Sequence, residues 1–254
     1  MKLTMLGVGS SAGTPMVGCN CDTCQSIDPR NNRTRCSSLI ELNNGKTILI
    51  DTSPDLRLQS LRAGLTHIDA VLYTHTHADH IHGIDDLRAF CIMQRSQIQL
   101  YGSHEAMAHI ASKFAYTLRE PSNYWDMPVL KANPIDAPFQ LFNQTIIPIP
   151  LKHGKNDIYG YRIGDIAYLT DVSSIPESSL LLLQGLKVLL LDCLRFATHH
   201  THINVEQSLR YASHIKAKST YMIHMTHDLE YVSLESQLPS DVYVGYDGLK
   251  LTVN

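Results

Sequence analysis

Residues 74–80 read Thr74-His75-Thr76-His77-Ala78-Asp79-His80 and follow directly on the apolar run Ala70-Val71-Leu72-Tyr73. Four potential metal ligands therefore fall within six residues, at the tip of what the pattern predicts as a buried strand. In extended chain, side chains two residues apart point the same way. His75 and His77 can thus grip one cation together, while Asp79 and His80 lie beyond and can turn toward a second. Imidazole suits zinc, iron and related ions, and a carboxylate also accepts harder ones. The competing reading is a solvated polar loop. A loop of that kind does not explain a segment that leaves a core strand and carries so little Lys, Ser or Gly.

Working outward from this stretch, strands are expected at 2–6, 37–42, 47–50, 70–73, 98–101, 145–149, 159–163, 166–169, 188–191, 220–223, 242–244 and 249–253. Asn44-Gly45 and Gly164-Asp165 supply the turns of two hairpins. Helices are expected at 56–63, around 84–93, near 105–116 and at 205–215. The stretch 120–139, rich in Pro and without periodicity, is expected as a loop or lid. Strands come in two sets, each followed by helices, and do not alternate strictly with them. That order implies an α/β protein of two sheets packed face to face with helices outside. The whole chain, 1–254, is expected to form one domain.

Apolar residues make up 44% of the 254 residues, enough for a sizeable core, and charged residues 18%. The formal net charge of −3 gives no global reason to expect a nucleic acid or an anionic membrane as partner. The longest apolar runs, at 180–183 and 188–191, are far too short to span a bilayer. Residues 1–9 carry one Lys and a short apolar run that passes straight into Gly9-Ser10-Ser11-Ala12-Gly13, which reads as a first strand and not a signal peptide. A cytoplasmic location is expected, with six cysteines kept as thiols or metal ligands.

The string H-x-H-x-D-H at 75–80 resembles the signature of the metallo-β-lactamase superfamily, and of its hydrolase branch in particular. The resemblance continues along most of the chain. Ile50-Asp51-Thr52-Ser53-Pro54-Asp55 looks like the family's first motif, in which an Asp ends a strand and supports the metal loop. His153, Asp171 and His224 match a third histidine, a bridging carboxylate and a final histidine. The resemblance implies a four-layer αββα sandwich with two divalent metals, zinc or manganese. It implies His75, His77, His153 and Asp171 around one ion, and Asp79, His80, Asp171 and His224 around the other. Two ions about 3.5–4 Å apart would hold a bridging hydroxide as nucleophile and neutralise charge on a phosphoryl or acyl oxygen.

Cys19-Asn20-Cys21-Asp22-Thr23-Cys24 puts three thiols in six residues. In a reducing compartment this is a zinc half-site; a redox Cys-x-x-Cys is the competing reading. Structural zinc takes four protein ligands, so one is missing locally, and Cys36 and His227 are both candidates. Here the sequence resembles the PhnP-like cyclic phosphate phosphodiesterases, which carry such a turn and a fourth ligand three residues after the last active-site histidine. That resemblance implies His227 as the fourth ligand of one structural zinc, with Cys36, Cys91 and Cys193 as ordinary buried thiols. It also implies a catalytic histidine in the segment His199-His200-Thr201-His202-Ile203-Asn204. His202 is chosen as the general acid, and Asp79 is expected to be catalytic as well as a ligand. His199 and His200 are expected to be solvated neighbours.

The function expected from the resemblance is metal-dependent hydrolysis of a small phosphate diester, cyclic ribosyl or nucleotide, with a homodimer as the assembly. Arg33, Arg35 and Arg195 are candidate phosphate contacts and equally candidate surface residues. Two alternatives are a tRNA 3′-processing endonuclease of the ribonuclease Z type and a PqqB-like protein of cofactor biosynthesis. The first would need a basic arm, and none is found between Gly102 and Thr145. The second is disfavoured because every expected active-centre ligand is kept.

Overall fold

The run Val188-Leu189-Leu190-Leu191 is apolar at four successive positions, the pattern of a strand covered on both faces. The computed structural model, which describes residues 1–118 and 129–253, places it in the interior of one of two sheets. The strands are β1 (Lys2–Gly7), β2 (Ser37–Glu41), β3 (Thr47–Ile50), β4 (Ala70–Leu72), β5 (Ile98–Gly102), β6 (Leu130–Pro134), β7 (Phe139–Leu141), β8 (Gln144–His153), β9 (Asn156–Ile163), β10 (Ile166–Leu169), β11 (Val188–Asp192), β12 (Ser219–Ile223), β13 (Val242–Val244) and β14 (Lys250–Thr252). The helices are α1 (Leu56–Ala63), α2 (Ala78–Ile81), α3 (Leu87–Gln94), α4 (His104–Lys113), α5 (Glu177–Leu181), α6 (Val205–Ile215) and α7 (Tyr231–Glu235).

One sheet runs β14-β1-β2-β3-β4-β5-β6 and the other β13-β12-β11-β10-β9-β8-β7. Each is mixed. β3 through β6 are parallel in the first, and β10 through β13 in the second. Side chains alternate as the period of two requires. Ile48, Ile50, Ala70 and Leu72 face Ile163, Tyr168, Leu190 and Met222 in a shared core between the sheets. Leu49 and Val71 turn outward onto Leu56, Leu87 and Ile110 of the helical layer, and Leu189 and Leu191 onto Leu180 and Ile215 on the other side. Burial of each such aliphatic side chain contributes about 1.5–3 kcal/mol. The result is the αββα sandwich, and it holds the strand ends rigidly.

Local signals place the helices. α1 stops at Gly64, whose φ of 67° is the left-handed conformation glycine supplies without strain. α6 begins with a capping box between Asn204 and Gln207. The expectation of a loop over 120–139 is corrected in part. Residues 119–128, where the lid was expected, lie outside the described residues. Residues 130–134, however, form β6, an edge strand paired in parallel with β5. Its polar Lys131 and Asn133 and its terminal Pro134 suit an edge, and they hide the alternation that marks an interior strand. The helix expected over 84–93 is split into a 3-10 turn at Ile84–Asp86 and α3. α2, α5 and α7 have 4–5 residues and carry too little periodicity to be read from sequence. Among the described residues, no helix is long and apolar enough to cross a membrane.

Candidate metal centre

The carboxyl ends of the parallel strands gather at one edge of the two sheets, where ligands meet in open α/β folds. Asp51 follows β3, His75 and His77 follow β4, His153 ends β8, Asp171 lies just past β10, Asp192 ends β11 and His224 follows β12. Three of these residues hold left-handed backbone: Asp51 at φ 59°, Asp171 at φ 56° and His224 at φ 60°. A Cβ makes that conformation cost about 1–3 kcal/mol, and such strain concentrates at functional sites.

Two groups of donors result. His75, His77, His153 and Asp171 have ligand atoms within 4.8 Å of one another, and so do Asp79, His80, Asp171 and His224. Asp171 belongs to both. Its Oδ1 lies 3.1 Å from His80 Nε2 and 3.3 Å from His224 Nε2, while its Oδ2 lies 3.7 Å from His75 Nε2 and 3.8 Å from His153 Nε2. Among the described residues, His75 Nε2, Asp79 Oδ2, His80 Nε2 and His224 Nε2 are buried without a hydrogen-bond partner. Buried polar atoms without partners are expensive. These are the atoms a cation would satisfy, so the donor set fits two divalent ions.

The outer ring nitrogens are held from behind. His80 Nδ1 lies 2.8 Å from Asp51 Oδ2, and His153 Nδ1 donates to the Thr201 carbonyl at 2.8 Å. His75 Nδ1 lies 3.0 Å from Thr74 Oγ1, which donates to Asp51 Oδ2 at 2.8 Å. A proton on each Nδ1 leaves each Nε2 lone pair facing the centre. Asp192 does the same for His202 and stands beside the ring of His224 without a hydrogen bond to it. Its Oδ2 lies 3.2 Å from His202 Nδ1 and its Oδ1 3.6 Å from His224 Nδ1. The rings of His202 and His224 stack at 4.8 Å. His202 is buried, with Nε2 3.8 Å from Asp171 Oδ2. Sequence reasoning missed Asp192. The available signal was an Asp closing an apolar strand, the same form as Ile50-Asp51.

Electrostatics divides the centre. Burial, reinforced by neighbouring histidines, holds His75 well below the usual imidazole range, and burial lowers His153 too. Both rings stay neutral, the form that binds metal. Burial also opposes charge on His80 and His224. There, nearby carboxylates outweigh it: Asp171 and Asp51 hold His80 well above the usual value, and Asp171, Asp79 and Asp192 push His224 up to about 9. Burial would raise Asp171 and Asp79, yet His224 and His80 beside them hold both carboxyls well below the usual range. One pole is thus a set of neutral imidazoles, the other a set of ion pairs that a cation would replace.

The cysteine turn lies beside this centre. Cys19 Sγ is 3.3 Å and Cys21 Sγ 3.2 Å from His227 Nδ1, and with Cys24 Sγ the four atoms lie within 4.8 Å of one another. The structure brings His227 to the turn and keeps Cys36 in the inter-sheet core; Cys91 and Cys193 are buried as well. The hydrogen bond from His227 pulls the exposed Cys21 thiol down to about 6, while burial pushes Cys24 up to about 11. The His227 contact thus favours a thiolate at Cys21, and a dication would favour the thiolate form of its ligands further. Backbone bonds tie the segment after β1, which leads toward the turn, to the chain beside His224, since Met225 N donates to Val8 O and Ser10 N to Met225 O.

The arginine expectations need correction. Arg33 is neither a surface residue nor a phosphate contact. It is 1% exposed, and its guanidinium donates to the carbonyls of Thr226 and Leu229 and to Asn31, clamping the His224–His227 segment. Arg35 pairs with Asp55 at 3.0 Å, and Arg195 donates to the Thr198 carbonyl. His199 is half-buried, with its ring 5.3 Å from that of His202, while His200 is exposed.

Residues 46–225 match the beta-lactamase superfamily domain, and the chain belongs to the metallo-β-lactamase superfamily. A crystal structure of a diphosphatase from the PhnP family superposes with a TM-score of 0.93 at 40% identity, covering 100% of this chain and 98% of that one. Within the superfamily the chain is PhnP-like. Zn(2+)-bound PqqB from Methylobacterium extorquens aligns over 100% of both chains with a TM-score of 0.82 at 19% identity, a likeness of fold. An octanoyltransferase from Porphyromonas gingivalis is 38% identical over 259 residues, covering 100% of this chain and 52% of that protein. The chain spans about half the length of the curated relatives it matches. Family and paired His/Asp clusters fit a metal-dependent hydrolase.

Proposed function

We propose that the chain is a binuclear metal-dependent hydrolase that cleaves a P–O bond of a small phosphate diester, cyclic ribosyl or nucleotide. The observation that carries this reading is Asp171, with one carboxylate oxygen toward each of two buried donor groups. His75, His77, His153 and Asp171 would hold one zinc or manganese ion, and Asp79, His80, Asp171 and His224 the other. When bound, such a pair lowers the pKa of water and neutralises charge developing on phosphoryl oxygens. The protein's own groups complete the chemistry. Water adds its oxygen to phosphorus, the bond to the leaving oxygen breaks, that oxygen takes the proton from His202 Nε2, and the proton the water loses then restores the ring. Asp192, on the opposite ring nitrogen, steadies the imidazolium before the transfer. Asp51 keeps the rings of His80 and, through Thr74, His75 turned inward.

A second reading, hydrolysis of a phosphoric anhydride, is favoured by the PhnP-family diphosphatase, with which this chain shares 40% identity. Both readings use the same attack at phosphorus. A tRNA-processing role finds little support in the net charge of −3, because a grip on the phosphate backbone needs clustered cations. The octanoyltransferase relative is about twice as long, so its name describes a protein of which this chain matches one half.

The deciding experiment measures hydrolysis of bis(p-nitrophenyl) phosphate, 2′,3′-cyclic nucleotides, a nucleoside diphosphate ester, a tRNA precursor and a β-lactam, with metal counted on the same sample. Turnover of the small phosphates alone is expected. Preference for the tRNA precursor or the β-lactam, or no phosphate turnover with both ions bound, overturns the proposal.

A further inference from the structure

The segment joining β11 to α6 carries three histidines of graded exposure: His202 is buried, His199 half-buried and His200 exposed. The ring of His199 lies 5.3 Å from that of His202 and 4.5 Å from that of His200. We propose that His199 donates a hydrogen bond from Nε2 to the leaving group of the substrate, at an oxygen near the one that departs, and so selects sugar-like leaving groups over plain alcohols. The inference rests on the phosphohydrolase reading above and names the leaving-group class of that same site.

The loop that carries His199 is fixed. Leu194 N donates to Ile203 O and Val205 N to Arg195 O, both at 3.1 Å, which closes its ends. Asn204 Nδ2 donates to the Phe196 carbonyl at 3.1 Å, and Arg195 to that of Thr198 at 3.3 Å. Thr201 then joins His199 to the metal centre. Its carbonyl accepts from the ligand His153, while its N–H and its hydroxyl meet Nδ1 of His199 at 3.3 and 3.1 Å. The rings of His153 and His202 lie 4.8 Å apart, each with Nε2 3.8 Å from Asp171 Oδ2. His199 completes this group of rings at its half-open rim.

The tautomer follows from the same contacts. A backbone N–H can only donate, so Nδ1 of His199 accepts, and the neutral ring carries its proton on Nε2. Burial, with His202, His200 and Arg195 nearby, lowers the pKa of the ring and keeps it in that neutral form. Among the described residues, no protein group accepts this Nε2 proton. The departing oxygen takes its proton from His202, so the leaving group lies on the side of the centre where His202 stands. His202 itself is 8% exposed, and His199 is the half-open ring beside it. A donor one ring away from the acid reaches an oxygen a few bonds from the one that departs. A ribose offers such oxygens, hydroxyl or ring ether, besides those esterified to phosphorus; a plain alcohol offers none. A neutral hydrogen bond of this kind supports a preference of about 3–10-fold.

The test compares uridine 2′,3′-cyclic phosphate with the cyclic phosphate of cis-1,2-cyclopentanediol, on the zinc-loaded protein with its ions counted. Both are cyclic diesters fused to a carbon ring of the same size class, and the second has no oxygen beyond those on phosphorus. His199→Ala should lower kcat/KM on the uridine compound by about 3–10-fold and on the cyclopentane compound by less than about 2-fold. His199→Gln, whose amide nitrogen reaches the place of Nε2, should keep most of the wild-type rate on the uridine compound; His199→Asn, which replaces Nδ1 instead, should not. Equal loss on both compounds means that His199 acts only by holding Thr201 and His202, and overturns the inference, as does no loss on either. If wild type hydrolyses neither compound, the phosphohydrolase reading fails instead. The nitrogen-15 resonance of His199 Nε2 then decides: a shift on adding the uridine compound, absent with the cyclopentane compound, supports the contact, and an equal shift with both, or none, overturns it.

Discussion

Replacing Asp51 by Asn changes one atom and breaks the orientation of two metal-facing rings. Asp51 is fully buried and accepts three hydrogen bonds at 2.8 Å, from Thr74 N, Thr74 Oγ1 and His80 Nδ1. An amide can meet that set in two orientations. With its nitrogen toward Thr74 N, two donors collide in a buried site, at about 1–3 kcal/mol. With its nitrogen toward His80 and Thr74 Oγ1, His80 Nδ1 must accept. The ring proton then moves to Nε2, where the metal should be. Thr74 Oγ1 must turn its own proton toward His75 Nδ1, and the second ring is reversed as well. Either way the expected loss of metal affinity is about 10–100-fold, the usual effect of removing a partner behind a ligating histidine. The fold should lose about 1–3 kcal/mol, or about 2–4 °C in Tm per kcal/mol. Metal content after dialysis against a chelator buffer, with a melting curve on the same sample, tests this. An Asn variant that keeps both ions at wild-type affinity and melts unchanged would refute the tautomer argument.

Three further outcomes are expected. His202→Ala should retain both ions and slow turnover by about 10²–10⁴ for a poor leaving group, but much less for p-nitrophenolate, since a good leaving group needs no proton; equal slowing on both would make His202 a binding residue. Cys21→Ser should remove one zinc per chain and lower Tm while leaving the two other ions in place; three freely titrating thiols and no tightly held third ion in the wild type would eliminate the cysteine site. Because carboxylates hold His80 and His224 above the usual imidazole value, both carry protons at pH 7 without metal, and uptake of the ion at Asp79, His80 and His224 should expel them. Affinity there should rise with pH toward about 9, read by calorimetry in buffers of different ionisation enthalpy, and uptake without proton release would contradict it. For the metal-free chain the sign reverses. A pKa raised from about 6.5 to about 9 stabilises the fold fully below about 6.5, and the gain is lost as pH rises through about 9.

The cluster at 75–80 was legible because its residues are local, and a strand tip presents them without help from distant chain. His153, Asp171 and His224 are each single residues at strand ends, and they could be assigned only through the family resemblance. Their convergence depends on sheet order, which no local pattern encodes. Asp192 escaped notice because one Asp closing an apolar run is normally a turn residue. Arg33 was misread for a related reason. Its carbonyl partners, Thr226 and Leu229, lie almost two hundred residues away, and nothing near Arg33 announces that it is buried. The interior strands were read from alternation and apolar content, whereas β6 sits at an edge where its polar positions face outward.

The left-handed backbone at Asp51, Asp171 and His224 makes fold and cation mutual supports. At these positions the chain sets aside its own conformational preference, and glycine would sit there more comfortably. Ions held by Asp171, His224 and the rings that Asp51 orients would compensate the turns that carry them. Chelation should therefore loosen three separate strand ends together, although they lie far apart in sequence. Hydrogen exchange should show this as a shared rise in opening after β3, β10 and β12, with the opposite edge of the sheets unaffected. Protection that falls at only one of the three would mean that the ions and the backbone are not linked in this way. If the rise is shared, the metal centre is also the latch of the molecule's working edge, and metal supply governs the protein's lifetime as well as its chemistry.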